Sequence, residues 1–267
     1  LKITHEGRMI ALDPRTLGLS AEPDGGRISA VADQISRIYD SSKANRYRDH
    51  AGADHPTPGA LQLVFCDRST PKGDGSFTVY EALASQLAER GLPRERIAFI
   101  HDATDDLSRA NLFQRCRTGE IAVLIGSTEK MGTGTNVQDR ATALHHMDCP
   151  WRPADLEQRE GRIVRQGNQN EQVEVLNYVT EGTYDAVMWQ IVARKASFIA
   201  KTKQAGPDRT LTDVEDDMTI SAAAASAIAT GDPRIIERAE LMETVGSLTA
   251  LRDGHYNQTG QARTSAA

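Results

Sequence analysis

The stretch Gln158-Arg159-Glu160-Gly161-Arg162-Ile163-Val164-Arg165-Gln166-Gly167 sets two arginines and an amide at spacings that matter chemically. On a helix, Gln158, Arg162 and Arg165 fall within about 60° of one another. Leu156 and Ile163 lie roughly opposite. One face can pack on a sheet while the other presents two guanidiniums and an amide to an anion. Planar guanidinium forks bind oxygens in pairs and stay charged, which suits a polyphosphate. In phosphoryl transfer an arginine so placed stabilises transition-state charge, worth roughly 10³–10⁵ in rate. The plainer alternative is a solvated charged face, with Arg159 and Glu160 in local ion pairs.

A second stretch, Gly126-Ser127-Thr128-Glu129-Lys130-Met131-Gly132-Thr133-Gly134-Thr135-Asn136-Val137, follows an apolar run. Its glycines permit close backbone approach and positive φ, and its hydroxyls and amides can meet phosphate or ribose. A loop at the carboxyl end of a parallel strand is where open α/β sheets bind ligands. An ordinary connecting loop would read similarly. It is not a Walker A, since GxxxxGK[ST] occurs nowhere in the chain.

The elements that must position these residues follow from periodicity. Apolar runs predict strands at 61–66, 97–101, 121–125, 143–147 and 173–179. Helical spacing predicts helices at 79–90, at 105–117 with Thr104 as cap, at 154–166 and at 184–203. Strands alternating with helices imply an α/β fold, a mostly parallel sheet covered on both faces. Ahead of it, Ile28, Val31, Ile35 and Ile38 predict a helix over 28–39 within an appendage or connector, 1–58. The main domain is expected over 59–205. A linker with Gly206-Pro207 and helices at 222–229 and 234–251 are expected over 206–267.

The totals narrow the class. With 39% apolar and 25% charged residues among 267, the chain is suited to globular folding. No apolar run approaches the roughly 18 residues that span a bilayer, so no membrane partner is expected. Cys66, Cys116 and Cys149 are scattered and odd in number, which fits a reducing cytoplasm rather than disulfides or structural zinc. The formal charge of −6 means that any nucleic-acid contact must be local or shared. The chain opens on Leu1 with no leader pattern and is expected to be a piece of a longer protein.

The order strand, STEKMGTGTNV, strand, Asp148-x-x-Trp151-x-Pro153, then QxxGRxxRxG resembles motifs V, Va and VI of superfamily 2 helicases, closest to the Swi/Snf-type translocases. Leu63-Val64-Phe65-Cys66 resembles motif IV, and the likeness covers 61–200. Gly161 and Asn168 depart from the Swi/Snf pattern. The terminal additions resemble large phage and plasmid helicase-like proteins, some of which carry a methyltransferase. The resemblance implies the second RecA-like lobe of an ATP-dependent helicase or translocase. Arg165 would be the arginine finger, Arg162 its neighbour on the phosphates, and Gln158 the coupling amide. Gly132, Gly134 and Asn136 would form the nucleotide-side loop. Ser127, Thr128, Thr104 and Trp151 would meet nucleic acid, expected to be double-stranded DNA. The Walker A lysine and DExx box are absent here, so Mg²⁺ and much of the ATP site would belong to the first lobe of the parent. The piece alone is expected to be inactive.

Other constellations remain. His145-His146-Met147-Asp148-Cys149 looks like a metal cluster, but alternate strand residues point to opposite faces, which favours packing over metal binding. Arg194, Lys195, Lys201 and Lys203 could track phosphates, or the helix could simply brace the lobe. Two further functions stay open: a helicase-derived binding or scaffolding module without ATP turnover, and another two-lobed α/β enzyme such as a nucleotide-sugar transferase.

Overall fold

The computed structural model describes residues 2–204 except 23, 24, 50, 74 and 133, together with 245, 248, 249 and 252. Five parallel strands form the frame: β1 (Leu61–Phe65), β2 (Ile97–Phe99), β3 (Val123–Gly126), β4 (Ala141–His146) and β5 (Glu174–Asn177), ordered β2-β3-β1-β4-β5. The helices are α1 (Lys2–Leu12), α2 (Gly26–Ser42), α3 (Val79–Glu89), α4 (Asp106–Thr118), α5 (Thr128–Met131), α6 (Pro153–Glu160) and α7 (Tyr184–Gln204). This is the parallel α/β arrangement that the alternation of elements implies, consistent with the RecA-like lobe that the resemblance implies. The expected linker and C-terminal helices lie outside the described residues, save isolated positions in the second helix.

Strand alternation divides the core in two. Leu61, Leu63 and Phe65 of β1 point to the face that packs on Leu112, Phe113 and Cys116 of α4. Val64 points the other way, to Val79, Tyr80 and Leu83 of α3. The same face takes Ile28, Val31, Ala32 and Ile35 of α2, so the segment before residue 58 shares the core of the main domain. Each such fully buried aliphatic side chain stabilises by about 1.5–3 kcal/mol. Gln62 is polar on this face and is satisfied there. Its Nε2 donates to Ile35 O at 3.0 Å, and its Oε1 lies 3.0 Å from His145 Nε2. His145 Nδ1 in turn lies 2.8 Å from Tyr178 Oη. With Gln62 offering only an acceptor, Nε2 carries the imidazole proton and Nδ1 accepts from tyrosine.

Side-chain caps fix the starts of α3, α4 and α5. Thr78 Oγ1 accepts from Glu81 N at the start of α3. Asp105, rather than the expected Thr104, caps α4: its Oδ1 accepts from Ser108 N at 2.7 Å in a capping box with Ser108. The expected helix over 154–166 is shorter. α6 starts with Pro153 in its first turn and stops at Glu160, with turns continuing through Gly161 to Gln166. Glycine is a poor helix former, and Gly161 sits where the ladder ends.

Gly119 ends α4 at φ 91°. A Cβ there would lie 2.0 Å from Arg140 Nη1 and 2.8 Å from Thr57 O. Arg140 is fully buried and donates Nη1 to Thr57 O at 3.1 Å and Gly59 O at 3.0 Å, tying the entry to β1 against the start of β4. Gly119→Ala is therefore expected to cost at least about 1–3 kcal/mol, from the backbone conformation alone. Urea denaturation of the variant against the parent sequence checks this, and an unchanged midpoint would refute it.

Candidate functional site

The carboxyl ends of β1, β3 and β4 bring Asp67, Ser127-Thr128 and Asp148 to one edge of the sheet. Connections leave β1 and β4 in opposite directions, which opens a crevice of the kind that holds ligands in α/β sheets. Arg159 of α6 fills its base with no exposed surface. Its Nε donates to Thr128 Oγ1 at 2.7 Å. Nη1 reaches Asp148 O at 3.0 Å and His146 Nδ1 at 3.3 Å. Nη2 reaches Asp67 Oδ2 at 2.8 Å and Asp148 Oδ1 at 3.1 Å. Arginine has five N–H donors, and here each has an acceptor.

Asp67 extends this network. Its Oδ1 accepts from Thr128 N at 2.6 Å, its Oδ2 from Thr128 Oγ1 at 3.0 Å, and its own N–H donates to Asp148 Oδ2 at 2.7 Å. Burial pushes the Asp67 carboxyl up, but the Arg159 charge and the Thr128 bonds outweigh it and hold it below the usual carboxylate range. Sequence alone gave Arg159 no role beyond a local ion pair in the alternative of a solvated face. A signal was present: on a helix Arg159 lies about 60° from Leu156 but 100° from Gln158, towards the packed side.

Above this base, the three expected side chains converge on one loop. Gln158 Nε2 donates to Gly132 O at 2.7 Å, and Arg162 Nη2 donates to the same carbonyl. Arg165 Nη1 donates to Asn136 Oδ1 at 2.7 Å. Arg117, unforeseen from sequence, donates from α4 to Asn136 O at 2.9 Å. Gly132 is required by close approach, because a Cβ would lie 2.2 Å from the Thr128 backbone carbonyl and 2.5 Å from Gln158 Nε2. Gly134 is required by its φ of 70°, and the space around it is open. Burial, then the neighbouring Arg165 charge, lower the Arg162 pKa. Among the described residues no carboxylate pairs with Arg162 or Arg165, so both are held by neutral acceptors.

The residues expected at nucleic acid are less gathered. Ser127 is buried as the N-cap of α5, its Oγ accepting from Lys130 N at 3.3 Å. The Thr128 hydroxyl is taken by Asp67 and Arg159. Thr104 is exposed before α4, and Trp151 is half exposed beside Arg8. His145 and His146 pack as strand residues, and no metal-binding group of three occurs among the described residues.

An α/β lobe with a cationic pair over a glycine-rich loop is the class that this geometry defines. Residues 56–167 match the helicase conserved C-terminal domain, a span running from the entry to β1 through the Arg165 turn. The "Defense against restriction protein B" of Escherichia phage P1 is 34% identical over 88 residues, 33% of this chain and 4% of that protein. Among solved structures, the C-terminal part of the Fun30 ATPase domain aligns over 80% of this chain and 54% of its own, at 16% identity and TM-score 0.47. The Mycobacterium smegmatis helicase Lhr, solved with ssDNA and AMP-PNP, aligns over 63% of this chain and 19% of its own, at 16% identity and TM-score 0.42. No helix among the described residues is long and apolar enough to cross a membrane.

Two outcomes follow. Arg159→Ala leaves Asp67 and Asp148 unpaired, and removing one member of a buried ion network costs about 3–5 kcal/mol. Chemical denaturation should report that loss, and a change below 1 kcal/mol (a rough threshold taken from exposed pairs) would contradict the network. His145 and His146 are lowered by burial to about 3 from an ordinary 6.5, His146 also by Arg159. The unfolded chain binds protons first, so their stabilisation is complete above about 6.5 and is lost as pH falls towards 3. The slope reaches about 1.4 kcal/mol per pH unit for each histidine. Urea midpoints from neutral to acid pH measure it, and a flat profile would refute the buried neutral assignment.

Proposed function

We propose that this chain is the second motor lobe of an ATP-dependent nucleic-acid helicase or translocase of the Swi/Snf-like group. The observation that carries the reading is the convergence of Gln158, Arg162 and Arg165 on the loop from Gly132 to Asn136. The donor set suits a nucleotide: the guanidiniums rest on a carbonyl and an amide, with open space at Gly134. Anionic oxygens are stronger acceptors than those neutral groups and would displace them. Arg165 acts as the arginine finger and Arg162 beside it meets the phosphates. Gln158 ties α6 to the loop, and Gly132, Gly134 and Asn136 line the nucleotide side.

The substrate is ATP with Mg²⁺, the metal held by the first lobe of the parent. When bound, Mg²⁺ neutralises charge on the phosphate oxygens. This chain fixes the finger and supplies part of the nucleic-acid surface through Thr104 and Trp151. The parent acts on double-stranded DNA, in a phage or bacterial cytoplasmic setting. The phage P1 relative supports that setting over its 88 residues.

The test is nucleic-acid-stimulated ATP hydrolysis by the full-length parent, compared with this piece alone. Arg165→Gln in the parent is expected to lower turnover by roughly 10³–10⁵ while nucleotide binding persists. Normal turnover in that variant would remove the finger role. A parent that binds nucleic acid without any turnover would favour the scaffolding reading instead.

A further inference from the structure

Arg165 is exposed and lies beyond the end of α6, so neither burial nor a helical ladder fixes it. Its backbone is held all the same. Its N–H donates to Ile163 O at 3.0 Å, and its carbonyl accepts from Asn168 N at 3.3 Å. The Asn168 side chain closes this turn. Its Nδ2 reaches back to Ile163 O at 3.0 Å and donates to Ala141 O, at the first residue of β4, at 2.9 Å. Its Oδ1 accepts from Asn170 N at 2.9 Å and from Asn170 Nδ2 at 3.0 Å. A primary amide offers two donors and two lone pairs, and here all four are used.

The network runs on into a segment that the functional reading does not use. Asn170 Oδ1 accepts from Tyr47 Oη at 2.8 Å. Tyr47 is buried, with the Arg140 guanidinium 5.0 Å from its ring centre. Beside it the Gln169 side chain pairs with the Arg48 backbone as a neighbouring strand would: Oε1 accepts from Arg48 N at 2.9 Å, and Nε2 donates to Arg48 O at 2.8 Å. Residues 168–170 are thus fastened to the start of β4 on one side and to 47–48 on the other. Moving such a connected set breaks several bonds at once, which makes it rigid. The side-chain bond of Arg165, to Asn136 Oδ1, is separate from this set. Its guanidinium can therefore turn to an anion while its backbone stays in place.

We propose that Asn168 is a positioning residue for Arg165: braced by Asn170 and Tyr47, it sets where the guanidinium meets the phosphates. The proposal rests on the finger role given to Arg165. It adds to that role residues 47 and 168–170, which lie outside the span matched to the helicase domain.

The experiment measures kcat and KM for ATP in the full-length parent with nucleic acid present. Asn168→Ala removes all four side-chain bonds. It is expected to lower kcat by up to about 10²-fold, the scale of a misplaced reacting group, with KM nearly unchanged. Residues that act as a unit are not additive, so beside Arg165→Gln the same change is expected to cost nothing further. Tyr47→Phe removes one hydroxyl at the far end of the network and serves where Asn168→Ala does not fold. It is expected to lower kcat by a smaller factor, with the same dependence on Arg165. Wild-type kcat in the folded variants, or a loss that persists in full beside Arg165→Gln, overturns the positioning role while the finger reading stands. Normal turnover in Arg165→Gln itself removes the finger reading, and the positioning role falls with it.

Discussion

A buried arginine is costly unless its charge is compensated, and the compensation of Arg159 by two carboxylates determines how this edge of the sheet is built. Its partners come from the ends of three strands: Asp67 after β1, Thr128 after β3, and His146 and Asp148 at the end of β4. Desolvating an ion costs several kcal/mol, which the surrounding charges recover only if geometry is close to ideal. Net stabilisation over an apolar substitute is therefore small, but tolerance to displacement is smaller still. A shift of α6 relative to the sheet would break several charge-assisted bonds at once. The network thus acts as a register for the segment that carries Gln158, Arg162 and Arg165.

That register matters because Arg162 and Arg165, the arginines proposed to meet phosphate, are held only by uncharged acceptors. Arg162 and Arg165 bond to a carbonyl and a side-chain amide, acceptors that carry no charge of their own. An anionic oxygen adds coulombic attraction and can accept a guanidinium fork in pairs. Exchange of neutral acceptors for an anion is accordingly favourable and needs only side-chain motion. Asn136 links this to a second element, since its backbone carbonyl is taken by Arg117 of α4 while its side chain meets Arg165. The loop is thus fixed from two sides.

Much of this was legible in sequence because it depends on local periodicity. The strand and helix order follows from apolar spacing, and the Gly132–Asn136 loop was placed by the strand before it and the QxxGRxxR segment after it. What sequence missed depends on distance along the chain. Arg159 meets Asp67 from 92 residues away, and no spacing rule pairs them. The helical wheel placed Gln158, Arg162 and Arg165 on one face, yet the helix ends at Glu160 and the arginines lie on turns. They converge regardless, because Ile163 is fully buried against the β1 and α4 core and fixes the turn from the opposite side. The 1–58 segment reads as an appendage or connector because only the helix over 28–39 is legible there, and its spacing gives no hint of partners; α1 is not expected. α2 in fact covers a sheet face and sends Arg27 to Asp185 and Thr180 near the start of α7.

The arginines of this edge separate into two kinds. Arg159 and Arg27 are buried and matched by carboxylates, so they contribute position and little field. Arg162 and Arg165 rest on a carbonyl and an amide, with no carboxylate partner among the described residues, so no ion pair cancels their charge. A chain of formal charge −6 therefore holds two such cations over the Gly132–Asn136 loop. Local potential rather than net charge attracts and orients a polyanion.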